Sequence, residues 1–185
     1  MRRVAVMLLI AGSIPAACSR RQPPPPPTPT PTETPTPPPQ QPPPARPTVD
    51  PAAEARAATE RARTALQQMV FFDYDQSAIR PDAQQTLSQK VAVLRANPNV
   101  TLRIAGHADE RGSIEYNLAL GQRRAQAVRE YLAGFNLDAN RFTIESFGEE
   151  RPLDPGTSEA AYARNRRAEF TITAGGESMV FPGGS

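Results

Sequence analysis

The chain has 185 residues and a formal charge of +2, and sixteen of its 22 prolines fall between Pro23 and Pro51. Against a usual proline share of about 5%, this leaves roughly 130 residues from Ala52 onward for one ordinary domain with a sizeable core. The lone cysteine, Cys18, excludes an intramolecular disulfide and a zinc cluster, and acids interleaved with bases give the isoelectric point of 9.0 little weight as a sign of nucleic-acid binding.

Residues 1–17 read as a signal peptide. Met1-Arg2-Arg3 is a positive start, and Val4 to Ala11 is an apolar run too short to span a membrane, which takes roughly 20 residues. Without Arg2 and Arg3 the formal charge falls to 0. Small residues, including Ala16 and Ala17, lead directly to Cys18. This arrangement resembles the bacterial lipoprotein processing site, in which the cysteine is lipidated on its sulfur and becomes the acylated N-terminus. Pro15 stands where that site usually carries an aliphatic residue. The alternative is an ordinary secretory peptide with an incidental cysteine. Several acyl chains give stable anchoring where one does not. Ser19, in place of the aspartate that retains such proteins at the inner membrane, implies the outer membrane.

Residues 18–51 are the lipidated cysteine followed by a proline-rich tether with no apolar face, and therefore no core. As polyproline II at roughly 3.1 Å per residue, it would reach on the order of 90 Å. A spacer fits its position between anchor and domain; a ligand for proline-recognition modules is the rival. Residues 52–68, AAEARAATERARTALQQ, have helix-forming composition with few large apolar side chains and predict a marginal helical lead-in.

Residues 69–174 carry the domain. Met69 to Phe72 is a short strand candidate, and Asp73 to Ser77 a loop. Pro81 suits a first helical turn; Ala83, Leu87, Val91 and Leu94 then recur at helical spacing until Asn97-Pro98. Residues 100–105 alternate as a strand. After the Gly106–Gly112 loop, Leu118, Gly121, Ala125, Val128 and Leu132 keep the stripe of an amphipathic helix ended by Gly134. Phe142, Ile144 and Phe147 suggest a third strand. A polar loop over 149–158, a short helix over 158–163 and a strand through Ala168, Phe170 and Ile172 follow. The order β-α-β-α-β-(α)-β predicts an α/β (α+β) sandwich with helices packed on one sheet. Residues 175–185 read as a flexible tail.

The stretch 106–125, GHADERGSIEYNLALGQRRA, concentrates the chemistry. It holds the only histidine, His107, with Asp109, Glu110, Arg111, Glu115, Arg123 and Arg124. A metal site at His107 lacks further His or Cys ligands, so the ring is read as packing or capping the loop. Asp109 is either a turn residue bonding its own backbone or a site residue. Arg124 lies one helical step of about 100° from core-facing Ala125, at the border of the stripe, where its stem covers the core or its head reaches a cleft. Asn117 lies on nearly the same line of the helix. Asp73 and Asp75 read as loop residues rather than a catalytic pair. Of Arg166 and Arg167, one is expected to be structural or ligand-facing and the other solvated.

FFDYDQSAIRPDAQQTL, ANPNVTLRIAGHADERGSIEYNLALGQRRAQAVREYL and FGEERPLDPGTSEAAYARNRRAEFTI resemble, in order and spacing, the OmpA-like C-terminal domain family, over roughly residues 69–173. Within that family they are most similar to its lipid-anchored members. The resemblance implies helices on one mixed sheet and non-covalent binding of peptidoglycan through the meso-diaminopimelate of its stem peptide. Carried over by motif, Asp109 and Arg124 hold that group. The Phe72-Asp73-Tyr74 loop, Asn117, Asn165 and Arg166 are further candidate contacts. Diaminopimelate presents an ammonium and a carboxylate on a short stem. An aspartate suits the first, and a planar guanidinium takes the second in a bidentate contact that lysine would not reproduce.

The implied function is a non-enzymatic tether between outer membrane and cell wall, without cofactor or metal, within the Tol-Pal system of envelope integrity and constriction at division. The implied partners are peptidoglycan, TolB and other Tol proteins, and outer-membrane lipid through acylated Cys18, with the domain facing the periplasm. A wall hydrolase using Asp109 and Glu110 is an alternative without a nucleophile motif or metal set. A porin or flagellar-stator relative would need a barrel or a membrane-spanning helix with a functional carboxylate.

Overall fold

The structure is a computed structural model that describes residues 50–183. The signal peptide, Cys18 and all of the tether before Asp50 lie outside the described residues. The elements in chain order are α1 (Pro51–Gln67), β1 (Val70–Phe71), α2 (Pro81–Ala96), β2 (Thr101–His107), α3 (Ile114–Ala133), β3 (Phe142–Gly148), α4 (Glu159–Asn165) and β4 (Arg167–Ala174), with a 3-10 turn at Ala139–Arg141 before β3. Four helices pack on one mixed sheet of strand order β1-β4-β2-β3. β2 and β3 run parallel, joined by α3; β4 runs antiparallel to both β1 and β2.

Local chemistry sets the element ends. Asp50 caps α1 by accepting from the Ala52 amide at 3.0 Å, and Pro51 opens its first turn. Pro81 opens α2. Ser113 and Ser158 cap α3 and α4 by accepting from the Tyr116 and Ala161 amides. Along β2, Leu102 and Ile104 enter the core while Arg103 stays outside and pairs with Glu145 of β3 at 3.1 Å. The core joins these strand residues to Leu66 of α1, Leu87 and Leu94 of α2, and Ala125, Val128 and Leu132 of α3. No helix among the described residues is long and apolar enough to cross a membrane.

Three expectations need correction. The lead-in is a 17-residue helix whose Ala62 and Leu66 are fully buried, and Lys90 of α2 donates to its last carbonyls, Ala65 at 2.9 Å and Leu66 at 2.7 Å. The tail expected to be flexible packs against the domain through Phe181. Met179 is buried and exchanges hydrogen bonds with Thr59 of α1, and Val180 does the same with the Asn97 amide after α2. The tail's partners lie 120 and 83 residues away, so no local pattern announced them. On α3, Leu118 is 45% exposed and Leu120 is buried in its place. The backbone of Leu118 lies against the end of edge strand β3, its carbonyl taken by Ser146 at 2.7 Å, so its side chain projects past the sheet.

One contact sets the depth of α3. A Cβ on Gly106 would stand 1.9 Å from the Gly121 carbonyl oxygen, and a Cβ on Gly121 would stand 2.3 Å from Ser146 Oγ. Only glycine at both positions lets helix and sheet touch backbone to backbone. Arg124 follows Gly121 by one turn, so this contact carries its head into the interior.

Candidate functional site

Two loops and one helix converge at the C-terminal end of β2. The first loop follows β1. The second, residues 108–113, leaves β2 and is pinned to β3 by the Ala108 amide donating to the Gly148 carbonyl at 2.8 Å. The first two turns of α3 close the space between them. The result is a cavity of about 150 Å³ lined by Tyr74, Asp75, Asp109, Arg111, Gly112, Tyr116, Asn117, Leu120 and Arg124. Pockets for drug-sized molecules run roughly 300–1,000 Å³, so this one suits a single amino-acid terminus.

Arg124 is 0% exposed. Its Nε donates to the Gln76 carbonyl at 2.9 Å, and its terminal nitrogens donate to the carbonyls of His107 at 2.6 Å and Asp73 at 3.1 Å. Guanidinium carries five N–H donors, so one on each terminal nitrogen stays available. The Phe72 ring lies beneath it, 5.2 Å away. Burial lowers its pKa to about 10, with the charge of Asp109 acting the other way. It therefore remains a cation at neutral pH. Its hydrogen-bond partners among the described residues are backbone carbonyls, not carboxylates.

Asp109 is 4% exposed and has a donor at every acceptor position. Its Oδ1 takes the Arg111 amide at 3.1 Å and Arg111 Nε at 3.2 Å; its Oδ2 takes an Arg111 terminal nitrogen at 2.7 Å and one from Arg166 at 3.1 Å. Burial alone would raise this carboxyl; the hydrogen bonds from Arg111 and Arg166 outweigh it and hold the pKa below the ordinary aspartate value. The bond to its own i+2 amide makes Asp109 a turn residue as well as a wall of the cavity. Glu159, at the start of α4, accepts from Arg111 at 3.1 Å and forms an ion pair with Arg166 at 2.9 Å. Asp109, Arg111, Glu159 and Arg166 thus form a closed ring of alternating charge.

The other candidates divide. Tyr74 and Asn117 line the cavity; Asn117 donates to the Arg111 carbonyl at 3.3 Å and to the Glu149 carboxylate. Asp73 contributes its carbonyl, while its carboxylate turns away to Arg80 at 3.1 Å. Phe72 is buried under Arg124, and its carbonyl accepts from Arg166 Nε at 3.2 Å. Asn165 does not reach the cavity. Its amide oxygen accepts from the Leu153 and Asp154 amides, holding the turn before α4. Neither Arg166 nor Arg167 is solvated, contrary to expectation: both are buried, and Arg167 pairs with Glu169 across the sheet surface. His107 packs on the Phe147 ring at 5.5 Å, on the sheet face away from α3, and both ring nitrogens are buried without a hydrogen-bond partner among the described residues.

Sequence reasoning passed over Arg111, Tyr116 and Glu159. Asp-x-Arg spacing inside a turn was the available signal for Arg111. Glu159 gave none, because 48 residues separate it from Arg111.

The sequence matches the OmpA family over residues 71–166. A peptidoglycan-associated lipoprotein of Brucella melitensis is 48% identical over 107 residues, covering 58% of this chain and 64% of the relative. One of the same name from Haemophilus influenzae is 48% identical over 99 residues, covering 54% and 65%. The chain thus spans less than two thirds of these relatives' lengths. The crystal structure of the peptidoglycan-associated lipoprotein from Burkholderia pseudomallei is 39% identical and covers 57% of this chain and 90% of its own, with a TM-score of 0.56.

Proposed function

Since the chain belongs to the OmpA family, with relatives named peptidoglycan-associated lipoproteins, we propose that it is an outer-membrane lipoprotein that grips the cell wall non-covalently. It is a binding protein, not an enzyme. The ligand is the diaminopimelate of the peptidoglycan stem peptide. Its carboxylate takes the two remaining N–H groups of Arg124, and its ammonium goes to Asp109.

The observation that carries this reading is Arg124. A fully buried guanidinium costs several kcal/mol to desolvate unless a partner compensates it. Here three carbonyls take three of its five N–H donors, and it lines a small cavity together with the Asp109 carboxylate. That is a receptor for an anion attached to a cation.

Under this proposal acylated Cys18 holds the membrane, the proline-rich segment sets the gap, and the domain meets TolB and other Tol proteins in the periplasm, in the Tol-Pal system that serves envelope integrity and constriction at division. Mass spectrometry of the mature N-terminus tests the anchor: an unmodified Cys18 would overturn it. Purified sacculi test the clasp. Asp109→Ala and Arg124→Ala should each remove most of the pull-down, roughly tenfold or more for one lost charge-assisted contact of about 1.5–3 kcal/mol. Circular dichroism must show both variants folded. Undiminished pull-down by both sinks the assignment.

A further inference from the structure

All four acceptor positions of Asp109 are already filled, two of them by the side chain of Arg111, so an incoming ammonium cannot simply be added. Resting on the clasp proposed above, we infer that Arg111 is an exchangeable counter-cation: it and the ammonium of the ligand compete for the same face of Asp109, and binding swaps one cation for the other.

The surroundings of Arg111 suit an exchange. Its guanidinium lies between the Tyr74 and Tyr162 rings, 4.2 and 4.4 Å from their centroids, and its other terminal nitrogen holds Glu159 at 3.1 Å. On leaving Asp109 it keeps Glu159 and an aromatic face, so its charge is not stranded. Asp109 keeps two donors, the Arg111 amide and Arg166, and stays in place. Each of its oxygens then offers one position to the ammonium. The exchange leaves the charge around Asp109 unchanged, which avoids a fourth cation beside Arg111, Arg124 and Arg166.

The swap also makes Arg111 a determinant of specificity. A ligand with the carboxylate but no ammonium has nothing to exchange, so it meets Arg124 alone and leaves Arg111 where it is. Removing the arginine therefore relieves competition for the diamino acid only.

Calorimetric titration of the protein with the tripeptide L-Ala-D-isoGlu-meso-diaminopimelate, and with the analogue in which hydrogen replaces the distal amino group, tests this. Arg111→Gln should bind the diaminopimelate tripeptide about tenfold more tightly than wild type, equivalent to about 1.4 kcal/mol. The analogue should bind both proteins alike, and Arg111→Lys should fall between for the diamino ligand. Side-chain NMR adds a second readout: the Arg111 Nε–H signal should move toward that of a solvated arginine when the tripeptide is added to wild type. Equal or weaker binding by Arg111→Gln, an equal change for both ligands, or an unmoved Nε–H signal overturns the exchange. If Asp109→Ala abolishes binding while Arg111→Gln fails to tighten it, the clasp stands and only the exchange fails. No binding of the tripeptide by wild type removes both.

Discussion

A charged side chain enters a protein interior when its polar atoms are met there, and Arg124 and His107 illustrate the two outcomes. Arg124 has three carbonyls, two from the loop after β1 and one from the end of β2, and keeps its charge. The ring of His107, in the strand that supplies one of those carbonyls, has no hydrogen-bond partner among the described residues, and burial lowers its pKa to about 4, with Arg167 and Arg151 adding to the shift and Glu169 opposing it. The folded protein then binds fewer protons than the unfolded chain below the ordinary histidine pKa of 6.5. Stability from this group is complete above about pH 6.5 and is lost as pH falls toward 4, by roughly 2–3 kcal/mol. Urea unfolding at pH 7 and 4.5 should register this loss, and His107→Leu should remove most of it. A wild-type slope retained in the variant would show that other groups dominate. From the sequence, His107 was legible as packing rather than chemistry, because metal ligands were absent nearby. Arg124 was legible as a candidate site residue through its motif, but periodicity placed it at the border of the buried stripe rather than inside.

Periodicity located α3 and its end at Gly134, because capping and the recurrence of apolar residues are properties of a single segment. It did not separate Leu118 from Leu120. That choice depends on where edge strand β3 ends beneath the helix. Nor did it distinguish Gly121 as a stripe residue from Gly121 as a contact surface. Gly106→Ala tests the contact. The added methyl meets the Gly121 carbonyl, which belongs to backbone and cannot swing aside. Overpacking of this kind costs about 1–3 kcal/mol or more, and here it must lift α3 off β2. The expected result is a lower unfolding midpoint together with weaker retention on sacculi, since Arg124 rides on the helix. Wild-type stability and retention would mean that helix depth does not set the site.

At the scale of the molecule, the C-terminal segment works as a strap. It leaves β4 through Gly175, passes the Gly176 carbonyl to Arg63 at 2.8 Å, and places Met179 between α1 and the end of α2. Deleting residues 177–185 removes the burial of Met179 and its neighbouring hydrogen bonds, a loss of about 2–4 kcal/mol. The cavity lies at the other end of α2 and α3, so retention on sacculi should survive at temperatures where the shortened protein is folded. Loss of retention in folded protein would tie the strap to the site. Sequence alone determined the element order, the first turn of α2 at Pro81 and the end of α3 at Gly134, the division into leader, proline-rich segment and domain as an expectation, and the pair Asp109 and Arg124 as candidates, because each is written in neighbouring residues or in one continuous motif. Tertiary structure alone decided that Arg124 is wholly buried, that Arg111 and Arg166 share Asp109 and close a ring through Glu159, and that the tail is bound. Those facts depend on residues up to 120 positions apart meeting in space, and the energy of burying a charge is set by the partners that arrive there, not by the neighbours beside it in the chain.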